Sequence, residues 1–193
     1  MKITKVTAKV YEWKGEVDAP RAHFSGSAMD ILPTKKETMA SFRFHGWLVV
    51  EIETNEGIIG LGNCALAPRI AKDIIDIYLA PQLIGEDPYD TEYLWQKMYR
   101  STIAWGRKGI GMAAISALDI ALWDIKGKKE HLPVYKLLGG KTKETLWAYA
   151  SKLYANDNLD EFLKEAQSYL DQGFTAMKMR IGYGPKDGPY GMR

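Results

Sequence analysis

The longest periodic run of apolar positions lies within Gly109–Gly140, and it predicts the helix around which the chain is organised. Its apolar residues recur in steps of three and four, which places them on one face of an α-helix. Small side chains run through that face, so a neighbouring backbone can approach it closely. We expect the helix to stop at Gly127, because glycine favours helix ends and the lysines beside it suit the negative end of the helix dipole. The apolar face consists of Ile110, Ala114, Ala117, Leu118, Ala121, Leu122 and Ile125.

Alternating apolar and polar positions near the N-terminus predict a small antiparallel sheet. Ile3–Trp13 and Phe42–Glu53 show this alternation, and Ile58–Gly62 returns after a turn at residues 55–57. Gly57 can adopt the positive φ that a tight hairpin turn requires. The three segments therefore predict a three-stranded meander.

Two helices are predicted between this sheet and the long apolar helix. The first begins near Ala67 and is expected to end at Pro81, because proline breaks the helical hydrogen-bond ladder. The second covers Asp90–Ser101, with Asp90 as its N-cap. Their apolar positions are Ile70, Ile74, Ile75 and Tyr78 in the first helix, and Tyr93, Leu94, Met98 and Thr102 in the second.

The pattern after Gly140 predicts a β-α-β unit. Glu144–Ser151 is a short apolar strand candidate, Leu159–Leu170 is an amphipathic helix, and Phe174–Arg180 is a second strand. A strand, a helix and a strand of these lengths favour parallel pairing with a right-handed crossover. Pro133 opens one short helical turn before this unit.

Composition excludes several classes of function. A net charge of +2 with scattered basic residues gives no footprint for nucleic acid, so no nucleic-acid partner is expected. No apolar run reaches the ~18 residues of a membrane span, so no membrane association is expected. Cys64 is the single cysteine, which excludes a disulfide framework and favours a reducing, cytoplasmic setting. We interpret Cys64 as a small core residue rather than a nucleophile.

Two basic side chains at the end of the last predicted strand are the first candidates for chemistry. Lys178 and Arg180 are two residues apart, so a strand sends both to the same face. In a parallel barrel that face is the interior, at the end where active sites are built. An edge strand with two solvated charges is the alternative interpretation.

One string goes beyond what periodicity predicts. The residues ALDIALWDIKGK at 117–128, followed by LPVYKLLGG at 132–140, resemble the junction between capping domain and barrel in the mandelate racemase subgroup of the enolase superfamily. The resemblance implies an α+β capping domain over residues 1–130, with a three-stranded antiparallel meander plus helices. It also implies that residues 131–193 are the start of a (β/α)₈ TIM-type barrel that is truncated after its second strand.

The resemblance also implies roles for named residues. In this subgroup a K-x-K motif ends the second barrel strand: its first lysine binds the substrate carboxylate, and its second is the base. Lys178 matches the first position, whereas Arg180 departs from the second, and arginine is a poor base because it stays protonated. Arg180 is therefore expected to hold a carboxylate or a hydroxyl, or to balance charge in an enolate-like intermediate. His23 and Arg43 are the candidates for substrate contacts from the capping domain.

The same resemblance implies an activity and a cofactor. The tail at 181–191 is most similar to that of sugar-acid dehydratases, which convert polyhydroxylated acids into 2-keto-3-deoxy acids. The family binds Mg²⁺ through three carboxylates on later strands, so the ligands are expected beyond residue 193, and this chain has no metal-site candidate. A complete barrel takes about 250 residues, whereas 53 residues follow Gly140. We therefore expect an N-terminal portion of a larger enzyme, inactive alone.

Several alternatives remain open. A racemase/epimerase or a cycloisomerase of the same superfamily fits the same residues, and a non-catalytic α+β binding or assembly module is the alternative from another class. The expected partners are a small-molecule sugar acid and further copies of the chain in a homo-oligomer, because unpaired parallel strands leave exposed edges and an apolar face.

Overall fold

The computed structural model describes residues 1–12, 46–154 and 158–180. Contacts divide these residues into two units, which are described separately: the first ends at Thr142 and the second begins at Lys143. The predicted domain boundary at residue 130 stays a prediction. The elements of the first unit are β1 (Ile3–Glu12), β2 (Gly46–Thr54), β3 (Ile59–Cys64), α1 (Pro68–Ile74), a π-helical turn (Ile75–Leu79), α2 (Ala80–Leu83), α3 (Thr91–Thr102), α4 (Ile110–Glu130) and α5 (Val134–Leu137). Those of the second unit are β4 (Ala150–Tyr154), α6 (Leu159–Asp171) and β5 (Met177–Arg180).

The three N-terminal strands form the predicted antiparallel meander in the order β1-β2-β3. Val6 pairs with Ile52 across the first ladder, and Ile52 pairs with Gly60 across the second. The hairpin between β2 and β3 turns at Gly57, whose φ of 77° is the left-handed conformation that glycine adopts without strain. Alternation along β2 buries Leu48, Val50 and Ile52 on one face of the sheet.

The helix that begins at Pro68 does not end at Pro81, so that prediction is wrong. The π-helical turn separates α1 from α2, and Pro81 lies at the start of α2, where the N–H that proline lacks is not needed. The predicted apolar face is also wrong in part, since Ile70 and Tyr78 are exposed. Burial instead follows the row that includes Ala71 and Ile75.

Helix α4 lies at the centre of the core, as its apolar period predicts, but it continues past Gly127. It ends at Glu130, and the C-cap residue His131 adopts a left-handed conformation with φ of 53°. The N–H of Leu132 then donates to the carbonyl of Gly127 at 3.0 Å, a bond that closes the last helical turn. A Cβ on Gly127 would lie 2.9 Å from the carbonyl oxygen of Leu132. Gly127 therefore makes room for the chain that folds back at the helix end.

Strand β3 packs directly on the backbone of α4. A Cβ on Gly60 would lie 2.1 Å from the carbonyl oxygen of Ala121, and a Cβ on Gly62 would lie 1.8 Å from that of Ala117. The close approach expected from the small residues of α4 is therefore confirmed, and the partner is a pair of glycines. The core around this contact consists of Leu48, Val50, Ile52, Ile75, Leu79, Leu83, Leu94, Met98, Ile115, Leu118, Leu122 and Ile125.

Side chains of α4 also bond to the free edge of β3. The N–H of Leu61 donates to Asp124 Oδ2 at 2.8 Å, and Lys128 Nζ donates to the carbonyl of Ile59 at 2.7 Å. Lys128 and Asp124 are themselves paired at 2.6 Å. Outward-facing backbone groups of an edge strand invite association with another strand, and here two of them are occupied from within the chain.

The second unit is the predicted β-α-β unit, and β4 pairs with β5 in parallel. The ladder begins at Ala150, opposite Met177, so the strand lies further along the chain than the predicted Glu144–Ser151. Pairing with β5 fixes this position, whereas apolar content alone does not. Helix α6 is preceded by its N-cap Asn158, whose side chain accepts hydrogen bonds from the N–H groups of the first turn.

Among the helices that the structure describes, none combines the length and the apolarity that crossing a bilayer requires.

Candidate functional site

Lys178 lies on the face of the parallel sheet that α6 does not cover. Helix α6 packs against β4, where Ala150 and Leu153 are buried. These residues pair with Met177 and Met179 of β5, so strand pairing puts all four on one side of the sheet, where Met179 is still 49% exposed. Successive strand residues alternate between faces, and the exposed Lys178 therefore projects from the opposite face.

The aromatic ring of Tyr149 is the contact of the Lys178 ammonium. Lys178 Nζ lies 5.9 Å from the centroid of that ring, within the range of a cation–π interaction. Just before the strands, the indole N–H of Trp147 donates to Thr175 Oγ1 at 2.9 Å. The N–H of Ala150 donates to the carbonyl of residue 176 at 3.0 Å. The segments that carry Tyr149 and Lys178 are thus held together before the ladder begins.

The other predicted site residues are less fully placed. Arg180 is the last residue of β5 and pairs with Tyr154. Its side chain lies outside the described part of the structure. His23 and Arg43 also lie outside the described residues. Their roles stay predictions.

The segment Asn63–Pro68, which follows β3, is anchored at both ends. Asn63 Oδ1 accepts a hydrogen bond from the indole N–H of Trp47 at 3.3 Å, and Pro68 begins α1. Ala67 adopts a left-handed conformation with φ of 44°. Burial raises the pKa of the Cys64 thiol, which disfavours the nucleophilic thiolate.

A groove of about 420 Å³ between β1 and α1 is polar but already internally paired. The guanidinium of Arg69 donates to both carboxylate oxygens of Glu12, at 2.6 and 2.7 Å. Lys72 pairs with Asp76, four residues further along in the π-helical turn. Because these charges are compensated, the groove is not a candidate for binding an acidic substrate. Its lining residues are Val10, Glu12, Arg69, Lys72 and Asp73.

The described residues do not supply a magnesium site. In residues 1–12, 46–154 and 158–180, no three side chains of histidine, cysteine, aspartate or glutamate lie close enough to share a metal ion. Asp119 is half-buried on α4, where burial raises the pKa of its carboxyl and the negative charge of Glu92 raises it further. The two carboxylates of Asp119 and Glu92 provide fewer oxygen ligands than Mg²⁺ requires.

Comparison with known proteins identifies relatives of this chain. The sequence family described as "Mandelate racemase / muconate lactonizing enzyme, N-terminal domain" matches residues 29–139. The D-galactarolactone cycloisomerase of Agrobacterium fabrum is 35% identical over 177 residues, which are 89% of this chain and 46% of that relative. The arabinonate dehydratase of Saccharolobus solfataricus is 41% identical over 142 residues, 70% of this chain and 37% of that relative. The chain thus spans less than half the length of these relatives.

Solved structures that resemble this chain also extend to about twice its length. The 3,6-anhydro-D-galactonate cycloisomerase from Zobellia galactanivorans superimposes with a TM-score of 0.71 at 31% identity, over 100% of this chain and 50% of that one. A racemase from Streptomyces coelicolor, solved with bound magnesium, has a TM-score of 0.71 at 28% identity, over 93% of this chain and 47% of that one.

Proposed function

The chain belongs to the mandelate racemase/muconate lactonizing enzyme family, and we propose that the protein containing it is a sugar-acid dehydratase. In the proposed reaction a base removes the proton α to the substrate carboxylate. The electron pair of that C–H bond then forms a carbon–carbon double bond, and the β-hydroxyl takes up a proton and leaves as water. The enol that results tautomerises to a 2-keto-3-deoxy acid.

The position of Lys178 carries the proposal. It is the second residue of the four-residue parallel strand β5, two residues before the carboxyl end, on the face away from the packed helix. In a β/α barrel the helices lie outside, so this face is the interior, and sites are built at the carboxyl ends of the strands. We propose that the barrel continues beyond the β-α-β unit and that Lys178 projects into it.

The proposed roles follow from charge. The Lys178 ammonium pairs with the substrate carboxylate, and this contact withdraws electron density from the α-carbon and acidifies its proton. Arg180 stays protonated and so binds a carboxylate or a hydroxyl rather than accepting the proton. His23 and Arg43 contact further polar groups of the substrate. The base is a residue outside this set.

Magnesium dependence is part of the proposal, but its ligands are not among the described residues. In the family setting the ion would stabilise negative charge on the substrate carboxylate as the α-proton leaves. A cytoplasmic location belongs to the same proposal. So does association of copies, which the exposure of Leu146 and Trp147, at 85% and 80%, supports.

A cycloisomerase is the second candidate function. Two cycloisomerases are among the relatives, and they match 89% and 100% of this chain, whereas the arabinonate dehydratase matches 70% of it. The two reactions differ in mass balance: dehydration removes one water from the substrate, whereas an isomerisation conserves its mass.

The test is a screen of the full-length protein with Mg²⁺ against a library of sugar acids and their lactones, with products followed by mass spectrometry. The expected result is loss of one water and appearance of a keto group. A keto product of unchanged mass from a lactone would favour the cycloisomerase. Consumption of no acid or lactone would contradict both candidates.

The residue-level test replaces Lys178. Lys178→Met is expected to lower kcat/KM by on the order of 10²-fold, because it removes one partner of a charge pair. The matched control is Lys164→Met, which removes an exposed lysine from α6 in the same unit. Equal activity of the two variants would contradict the role of Lys178.

A further inference from the structure

We propose that Tyr149 is a positioning residue for Lys178, and that its ring holds the ammonium on the open face of the β4–β5 sheet. The consequence for substrate binding rests on the proposed function. The contact itself does not, because it is a property of the folded chain.

The topology brings these two residues together from opposite ends of the β-α-β unit. Tyr149 immediately precedes β4, and Lys178 is the second residue of β5. The register pairs Ala150 with Met177, so Tyr149 is opposite residue 176 and is the diagonal neighbour of Lys178 on the same face. Diagonal neighbours on a sheet are within reach of aromatic and long side chains. The 5.9 Å between Nζ and the ring centroid follows from this placement.

Other contacts of the same segments hold the chain on both sides of Tyr149. The hydrogen bond between Trp147 and Thr175 and the backbone bond from Ala150 to residue 176 lie on either side of Tyr149 along the chain. Lys178 has no hydrogen bond or ion pair within the described residues, so the ring is the group that restricts it.

The physical role is to limit where a flexible cation can go. A lysine side chain has four rotatable carbon–carbon bonds and one compact charge, so it samples many positions when nothing holds it. The negative face of an aromatic ring attracts that charge. The phenol oxygen takes no part in this attraction, so phenylalanine can replace tyrosine and an aliphatic residue cannot.

The first test measures the contact in the chain itself. With ¹³C-labelled lysine, the ring current of Tyr149 is expected to shift the ε-methylene resonance of Lys178 upfield, and Lys178→Met assigns that resonance by its loss. Tyr149→Leu should return the resonance to the position of a solvated lysine, whereas Tyr149→Phe should preserve the shift. Tyr93→Leu is the control, because Lys97 lies over the Tyr93 ring at the same 5.9 Å. It should move Lys97 alone.

The second test measures the consequence in the full-length enzyme. Tyr149→Leu is expected to raise KM for the acid about two- to five-fold, the range that an exposed cation–π contact supports. The value of kcat should change less, and Tyr149→Phe should restore KM. If the Lys178 resonance of Tyr149→Leu stays where it is in the parent protein, the contact is overturned. If that resonance moves to the solvated position while KM stays unchanged, the role of the contact in binding is overturned. If neither the parent protein nor any variant turns over an acid, while Tyr149→Leu moves the Lys178 resonance as expected, the proposed function fails and the contact stands.

Discussion

Replacing Gly62 with alanine forces a methyl group into the main chain of α4. The new Cβ would lie 1.8 Å from the carbonyl oxygen of Ala117 and 2.9 Å from its carbonyl carbon. Real Cβ atoms essentially never approach a heavy atom closer than 3.0 Å, so β3 and α4 must separate by about 1.2 Å. A gap of 0.5–1 Å already removes a quarter to a half of the dispersion energy of each contact it opens.

The expected cost is at the upper end of the range for overpacking. Extra methylenes in a packed core typically cost 1–3 kcal/mol, and here the obstacle is backbone, which cannot change rotamer. We expect a loss of about 3 kcal/mol in the free energy of unfolding. For a chain of this size that corresponds to a fall in Tm of roughly 6–12 °C. Thermal and urea unfolding followed by circular dichroism measure both quantities.

Two further variants separate this clash from other effects of losing a glycine. Gly57→Ala introduces a methyl with nothing within 4 Å, so its cost of about 1–2 kcal/mol comes from the positive φ alone. Adding Ala117→Gly to Gly62→Ala should restore no stability, because the contacted atoms belong to the main chain. A Gly62→Ala protein within about 0.5 kcal/mol of the parent, or its rescue by Ala117→Gly, would refute the reasoning.

Two other predictions concern polar contacts of the first unit. Asp124→Ala removes the acceptor of the Leu61 N–H. It should lower the free energy of unfolding by about 1–3 kcal/mol and accelerate hydrogen exchange at Leu61. The control Asp76→Ala breaks an exposed helical ion pair and should lower the free energy of unfolding by only about 0.3–0.5 kcal/mol. Equal losses of stability in the two variants would contradict a stabilising role for Asp124 at the edge of β3. The hydrogen bond to Glu130 raises the pKa of Tyr89 from 10.0 to about 12. The folded chain then binds more protons than the unfolded chain between pH 10 and 12. The contribution of the Tyr89–Glu130 hydrogen bond to stability is therefore complete below pH 10 and is lost as the pH rises from 10 to 12. Glu130→Gln should weaken this pH dependence in denaturation experiments, and an unchanged profile would exclude Tyr89 as its source.

The predictable part of the fold is the part that depends on local pattern. Alternation over Ile3–Trp13 and the turn at Gly57 specify the meander, because a strand with one buried face must alternate. The period of α4 specifies its buried face in the same way. The strand–helix–strand order likewise predicts that β4 and β5 pair in parallel.

The errors occur where a local signal is overridden by a neighbour. Pro81 is compatible with a helix because the π-helical turn before it resets the hydrogen-bond register. Gly127 is not a stop signal, since its missing side chain serves the return of Leu132. Strand β4 begins later than its apolar content suggests, because its partner strand fixes the start.

The candidate site could also be predicted only in part, namely where it depends on local spacing. Spacing alone predicts that Lys178 and Arg180 share one face of a strand, and this stays a prediction for Arg180. It cannot find Tyr149, because that contact depends on which residues two distant segments bring into register. Asp124 lies in the string that carries the family resemblance, and yet only the packing of α4 on β3 shows that its carboxylate binds a strand edge.

By itself the sequence determined the order of the elements and their periods, because each of these follows from side chains within a few residues of one another. The tertiary structure decided how closely elements meet and which groups they share: Gly60 and Gly62 against the backbone of α4, and Tyr149 beneath the Lys178 ammonium. Such contacts join residues that are far apart in the chain, and their energies depend on distances that no local pattern encodes.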